Sequence, residues 1–184
     1  MTDFSTAPSR LAALGPVMQL SYCPADYDAA LAYWIGRGAG PFFERNHVQL
    51  ENVRYRGEPS AIDFSIALGY FGDLQIEIVH QHNDAPSMFK DWRDQGREGV
   101  QHLCVLIDDM TVVRGLVDQA GGIVVQEGAL PNRAGAVIYV DFGGGPGTIM
   151  EYLQIGPAGH AGFAAMRAAH AEWDGTNPIR GSGR

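Results

Sequence analysis

The sequence predicts an α+β fold made of two βαβββ modules, and three observations carry that prediction. The first is an internal repeat. "VMQLSYCPADYDAALAYWIGRGAG" is similar to "VQHLCVLIDDMTVVRGLVDQAGG" when Leu20 is laid on Leu103, which also sets Gln19 on His102, Asp26 on Asp109 and Gly38 on Gly121. The second is that both copies end alike: "LQIEIVHQ" and "TIMEYLQI" place Glu77 and Glu151 at matching points of a last strand. The third is alternation. Leu74, Ile76 and Ile78 alternate with Gln75, Glu77 and Val79, the period of a half-buried strand.

Each copy opens with a strand and continues into a helix. Asp26 and Asp109 stand where an N-cap is needed, because a side-chain oxygen there accepts from free backbone N–H groups. Gly38 and Gly121 suit the left-handed position that ends a helix. Two further strands follow in each copy, "FFERNHVQLENVRYRG" with "AIDFSIALGY", then "IVVQEG" with "AVIYVDFG". The modules therefore occupy residues 16–81 and 100–155 of a single domain spanning 14–156, after an N-terminal tail of residues 1–13. "NDAPSMFKDWRDQGREG" links them, with a short helix expected from Ser87 to about Asp94. Residues 157–184 read as a C-terminal helix and a flexible tail, "TNPIRGSGR". Phe163, Met166, Ala169 and Trp173 have helical spacing and would lie over the core or over a partner subunit.

At 184 residues the chain suits one domain. A net charge of −8, without a basic cluster, argues against nucleic acid or an anionic membrane surface as partner. The opening "MTDFSTAPSR" lacks a signal-peptide profile, and no run approaches the ~18 apolar residues of a membrane span. Two cysteines, Cys23 and Cys104, make no disulfide framework, so a cytoplasmic location is expected. Lys90 is the single lysine and a poor candidate for Schiff-base chemistry.

Four polar residues share one description. Gln19 and His102 lie in the first strand of each module, Glu77 and Glu151 in the last, and all have apolar neighbours. Buried, each needs a partner. If the sheets curve around a common cavity, the four side chains meet, and two carboxylates brought that close repel unless a cation lies between them. One divalent metal ion, held by a glutamine oxygen, a histidine nitrogen and two carboxylates, resolves that repulsion. The donor set suits Zn, Mn, Co, Ni or Fe(II) better than a closed structural zinc site. Taken singly, a strand histidine is more often a satisfied core residue and a strand glutamate often faces solvent. Their pairing in the repeat favours the metal.

The doubled module with these four positions resembles the vicinal oxygen chelate superfamily, which includes glyoxalase I, methylmalonyl-CoA epimerase, extradiol dioxygenases and bleomycin-binding proteins. "GDLQIEIV", "GVQHLCVLIDD" and "GTIMEYLQ" carry the resemblance, over residues 14–156, and are most similar to epimerase-like and glyoxalase-like members. The resemblance implies a curved mixed sheet around a metal-centred cavity, with Gln19, Glu77, His102 and Glu151 as ligands. It further implies a metal-dependent isomerase, epimerase or lyase that moves a proton next to the carbonyl of a small-molecule substrate. Glu151 falls on the position that serves as ligand and base. Asp63, in "AIDFSIAL", is expected as a second catalytic base, because Ile62, Phe64, Ile66 and Leu68 take the other face of its strand; a solvated or salt-bridged Asp63 is the competing reading.

Gln19 in place of a histidine disfavours an Fe(II) ring-cleavage dioxygenase. A non-catalytic drug- or antibiotic-binding protein on the same fold is the alternative. The resemblance, with the apolar face of the C-terminal helix, implies a homodimer. His80 and His82 in "VHQHND" read as strand-end surface residues or a second metal site, and "FGGGPG" reads as a turn more readily than as a phosphate cradle.

Overall fold

The computed structural model describes residues 10–181, so residues 1–9 of the expected N-terminal tail and residues 182–184 lie outside the description. The first half contains β1 (Gln19–Tyr22), α1 (Tyr27–Ile35), β2 (Phe42–Arg45), β3 (Glu51–Tyr55), β4 (Glu58–Pro59), β5 (Phe64–Phe71) and β6 (Leu74–Gln81). After α2 (Met88–Asp94) come β7 (Val100–Leu106), α3 (Met110–Gln119), β8 (Ile123–Leu130), β9 (Gly135–Asp141) and β10 (Ile149–Ile155). The chain ends in α4 (Pro157–Ala171) and β11 (Ile179–Gly181).

The local signals work as the residues dictate. Asp26 caps α1 by accepting from the Ala29 N–H at 2.9 Å, and Asp109 caps α3 by accepting from Thr111 at 2.8 Å. Gly38 and Gly121 follow these helices at φ of +86° and +71°. Ser87 caps α2 by accepting from Lys90 at 2.9 Å.

All strands join one mixed sheet in the order β11-β2-β5-β6-β1-β7-β10-β9-β8-β3-β4. At its centre β1 runs antiparallel to β7 with Leu20 opposite Leu103, so this one equivalent pair marks the pseudo-two-fold axis that relates the two copies of the repeat. β6 lies parallel to β1, and β10 parallel to β7. The helices α1 and α3 cover one face, where Leu31 packs with Ile76 and Ile78, and Val113 and Val117 with Ile138 and Val140. On the other face α2 inserts Phe89 and Trp92 among Phe64, Val79, Val137 and Tyr139. Strands β5 and β9 would lie about 24 Å apart in a flat sheet, yet both line one cavity on this face, so the sheet is strongly curved.

Two expectations are corrected. The segment "FFERNHVQLENVRYRG", expected as one strand of the first half, is split: β2 stays beside β5, whereas β3 pairs with β8, Tyr55 opposite Gln126, and carries β4 to the far edge of the second half. Tyr55 is held there by burial beside α2 and by a hydroxyl hydrogen bond to Asp91. The tail also departs from the flexible reading. Ile179–Gly181 form β11, which pairs parallel to β2 and gives that strand's open edge its backbone partners.

Helix α4 lies over β5 of its own chain, with Met166 packed on Leu68 and Tyr70. Arg10–Leu14 form a short 3-10 turn whose leucines pack against the α3 cluster.

Candidate metal centre

The strand registers assemble the site. Ser21 lies opposite both Glu77 and His102, and Cys104 lies opposite both Gln19 and Glu151. Residues opposite in register project from the same face of a sheet. Gln19, Ser21, Glu77, His102, Cys104 and Glu151 therefore converge on the concave face, related in pairs by the pseudo-two-fold axis.

His102 is completely buried and sits between the carboxylates, its Nε2 3.1 Å from Glu151 and 3.3 Å from Glu77. One ligand atom from each of the three lies within 4.8 Å of the others. Its Nδ1 bonds Gln101 Oε1, which fixes that nitrogen as the donor and directs Nε2 at the carboxylates. Burial alone would push the imidazole down, but hydrogen bonds to Glu151 and Glu77, reinforced by their charges, raise it to about 9. Ser21 donates to Glu77 at 2.7 Å. Cys104, its repeat counterpart, is held as a thiol well above its ordinary range by burial and then by the charges of Glu151 and Glu77.

Gln19 completes the set. Its Nε2 donates to Gln75 Oε1 at 2.6 Å, and Gln75 in turn donates to the Tyr70 hydroxyl at 3.1 Å. That chain orients the amide and leaves Gln19 Oε1 buried without a hydrogen-bond partner. Buried acceptors are rarely left so. Gln19, Glu77 and Glu151 all line one cavity of about 500 Å³. An unpartnered amide oxygen on the same face as a histidine and two carboxylates offers a donor set that fits a divalent ion. The structure thus turns all four residues expected as ligands toward the same concave face.

Asp63 is not among them. On β5, Phe64, Ile66 and Leu68 face the cavity, so strand alternation turns Asp63 and Ser65 to the opposite side. Asp63 instead pairs with His47 Nδ1 at 2.7 Å on a partly exposed surface. The apolar face of that strand, opposite Asp63, is the one that lines the cavity.

Tyr139 is a site residue that sequence reasoning missed. It lies opposite Glu151 in β9, lines the cavity, and meets His102 edge-on at 5.1 Å between ring centroids. Burial, followed by the charges of Glu151 and Glu77 and a hydrogen bond to Glu151, holds its phenol well above the ordinary range. Its signal was "AVIYVDFG", where Val137 and Tyr139 share a face, but only register shows that this face meets Glu151. The remaining walls are largely apolar, with Val48, Leu50, Phe64, Leu153 and Phe163; Arg45 and Arg133 are also at the walls.

The profile of the Glyoxalase/Bleomycin resistance protein/Dioxygenase superfamily matches residues 18–140. The chain belongs to this superfamily. No curated protein matches it significantly. Among solved structures, the superfamily member described here is similar to hypothetical protein BH1468 of Bacillus halodurans, with 13% identity and a TM-score of 0.54 over 76% of this chain and 93% of that one. It is also similar to methylmalonyl-CoA epimerase of Mycobacterium tuberculosis, with 17% identity and a TM-score of 0.50 over 78% and 89% of the two chains. A Streptomyces coelicolor methylmalonyl-CoA epimerase variant, in complex with 2-nitronate-propionyl-CoA, gives 12% identity and a TM-score of 0.50 over 78% and 96%. At these identities the likeness is one of fold. Among the described residues no helix is long and apolar enough to cross a membrane.

Proposed function

We propose that this chain is a divalent-metal-dependent isomerase, epimerase or lyase that moves a proton next to the carbonyl of a small-molecule substrate. The observation that carries the reading is the buried, unpartnered Gln19 Oε1 in the same cavity wall as Glu77 and Glu151, with His102 behind them. A divalent ion held by these four residues supplies Lewis-acid stabilisation of negative charge on a carbonyl oxygen.

The chain's own residues supply the rest. Glu151 takes the proton from the carbon beside the carbonyl and returns it, being the carboxylate next to both His102 and Tyr139. Tyr139, kept as a neutral phenol, holds a proton at its hydroxyl within reach of Glu151. The apolar walls take the body of the substrate and exclude water from the exchanging proton. With Asp63 on the opposite face, the second base expected there is withdrawn, and the transfer is assigned to Glu151, which suits an isomerase or lyase.

Purified protein should carry about one divalent ion per chain in the cavity, and carbonyl compounds bound there should exchange an α-proton for deuterium in D₂O. Glu151→Gln should abolish that exchange. Protein that is active without any ion, or exchange that survives Glu151→Gln, would overturn the reading. A non-catalytic binder should show neither the ion nor the exchange. We also propose a homodimer, on the family resemblance; a monomer mass by light scattering would exclude it.

A further inference from the structure

A second group of metal-ligating side chains lies outside the cavity, on the opposite face of the sheet. It is built by the open end of the β5–β6 hairpin. The His82 N–H donates to the Asp63 carbonyl at 2.7 Å, which sets the two side chains next to each other. The chain after β2 then delivers His47: its N–H donates to Ser65 Oγ at 3.1 Å, and its Nδ1 meets Asp63 Oδ1 at 2.7 Å. Ser65 Oγ also meets His82 Nε2 at 2.7 Å, so one buried serine positions both histidines. One ligand atom each from His47, Asp63 and His82 lies within 4.8 Å of the others.

The surroundings add to this. His47 and His82 have ring centroids 4.8 Å apart, and His80 follows 4.7 Å from His82, so three of the chain's six histidines share one patch.

We propose that His47, Asp63 and His82 form a second divalent-metal site, independent of the cavity. Two imidazole nitrogens and one carboxylate select zinc, cobalt, nickel or copper over calcium and magnesium, which prefer oxygen donors. Tetrahedral coordination at zinc spaces neighbouring donors about 3.3 Å apart. His47 and His82 are exposed and have room to adjust to it, with water in the fourth position. The site has a consequence for the cavity. Val48, next to His47, lines that cavity, so an ion here pins the wall segment to the hairpin behind it.

The test uses Co(II), followed by its visible absorption and by calorimetric stoichiometry, on the full chain. Variants are Glu77→Gln/Glu151→Gln in the cavity, and His82→Gln or His47→Gln on the surface. The expected result is two ions for the wild type and one for the cavity variant, the retained ion showing the intense absorption of tetrahedral Co(II). His82→Gln should weaken one of the two wild-type sites by more than about tenfold, as loss of a direct ligand requires. Its metal-free circular dichroism should stay unchanged. One ion in the wild type that disappears in the cavity variant but survives His82→Gln overturns this proposal and leaves the cavity site standing. One ion with the reverse pattern supports this site and defeats the other. Should the cavity variant fold poorly, the fall in stoichiometry of His82→Gln against wild type decides alone.

Discussion

His102 without a metal is a proton held between two carboxylates, and this has a measurable effect. Its acid strength is set in the folded protein at about 9, against 6.5 when free. A group raised on folding stabilises fully below its unfolded value and loses that contribution as pH climbs through the folded one. Chelator-treated protein should therefore lose on the order of 3 kcal/mol of stability between pH 6.5 and about 9. Urea unfolding across that range checks it, and His102→Gln should flatten the profile. In the metal-loaded protein, Glu77→Ala and His102→Ala should each reduce metal content from about one ion per chain to background at the cavity, read by elemental analysis with the surface histidines substituted. Gln19, Glu77, His102 and Glu151 were legible in the sequence because the repeat paired them. Tyr139 was not, since its partner is fixed by the β9–β10 register. For Asp63 alternation gave the right parity, opposite Phe64, Ile66 and Leu68, but could not say which face meets the cavity: the apolar face lines it, while Ala67 on the Asp63 side packs under α1.

Elements were legible where a period or a cap announced them, as with the Asp26 and Asp109 caps and the alternating β6. What alternation cannot specify is the neighbour. "FFERNHVQLENVRYRG" reads as one strand of the first half, and nothing in its alternation shows the break after Arg45 or the pairing of Glu51–Tyr55 with β8, where Tyr55 is buried beside α2. Ile179–Gly181 is too short to show a period at all. Helix α4 shows the same limit, since its apolar spacing left open what it would cover. Met166 settles this: it is 7% exposed, packed on Leu68 and Tyr70, and so buried against its own β5. Met166→Ala should cost about 2–4 kcal/mol by chemical denaturation. A cost below 1 kcal/mol would mean that α4 contributes little to the fold. Because Pro157, Gly159 and Phe163 line the cavity, the same variant should also loosen binding there.

At the scale of the whole molecule, the two halves exchange edges. The first half gives its β3–β4 hairpin to β8, and the segment beyond the second half returns as β11 on β2. The central β1–β7 pair joins them a third time. The cavity follows the same division, with Gln19 and Glu77 from one half and His102 and Glu151 from the other. Neither half should then be a folding unit. A fragment of residues 1–96 would leave Tyr55, Phe64 and Phe89 without Val137 and Tyr139, and its β3–β4 hairpin without a sheet. The cut at Gly96 falls in an exposed turn at φ of +61°, so the break itself disturbs little. Each fragment alone should show weak circular dichroism and no cavity metal. Mixing residues 1–96 with 97–184 should restore both, because every lost contact is then supplied by the other piece. An autonomously folded first fragment would show that the hairpin exchange is incidental to the stability of the sheet. Recovery on mixing without recovery of metal binding would separate the fold from the cavity site.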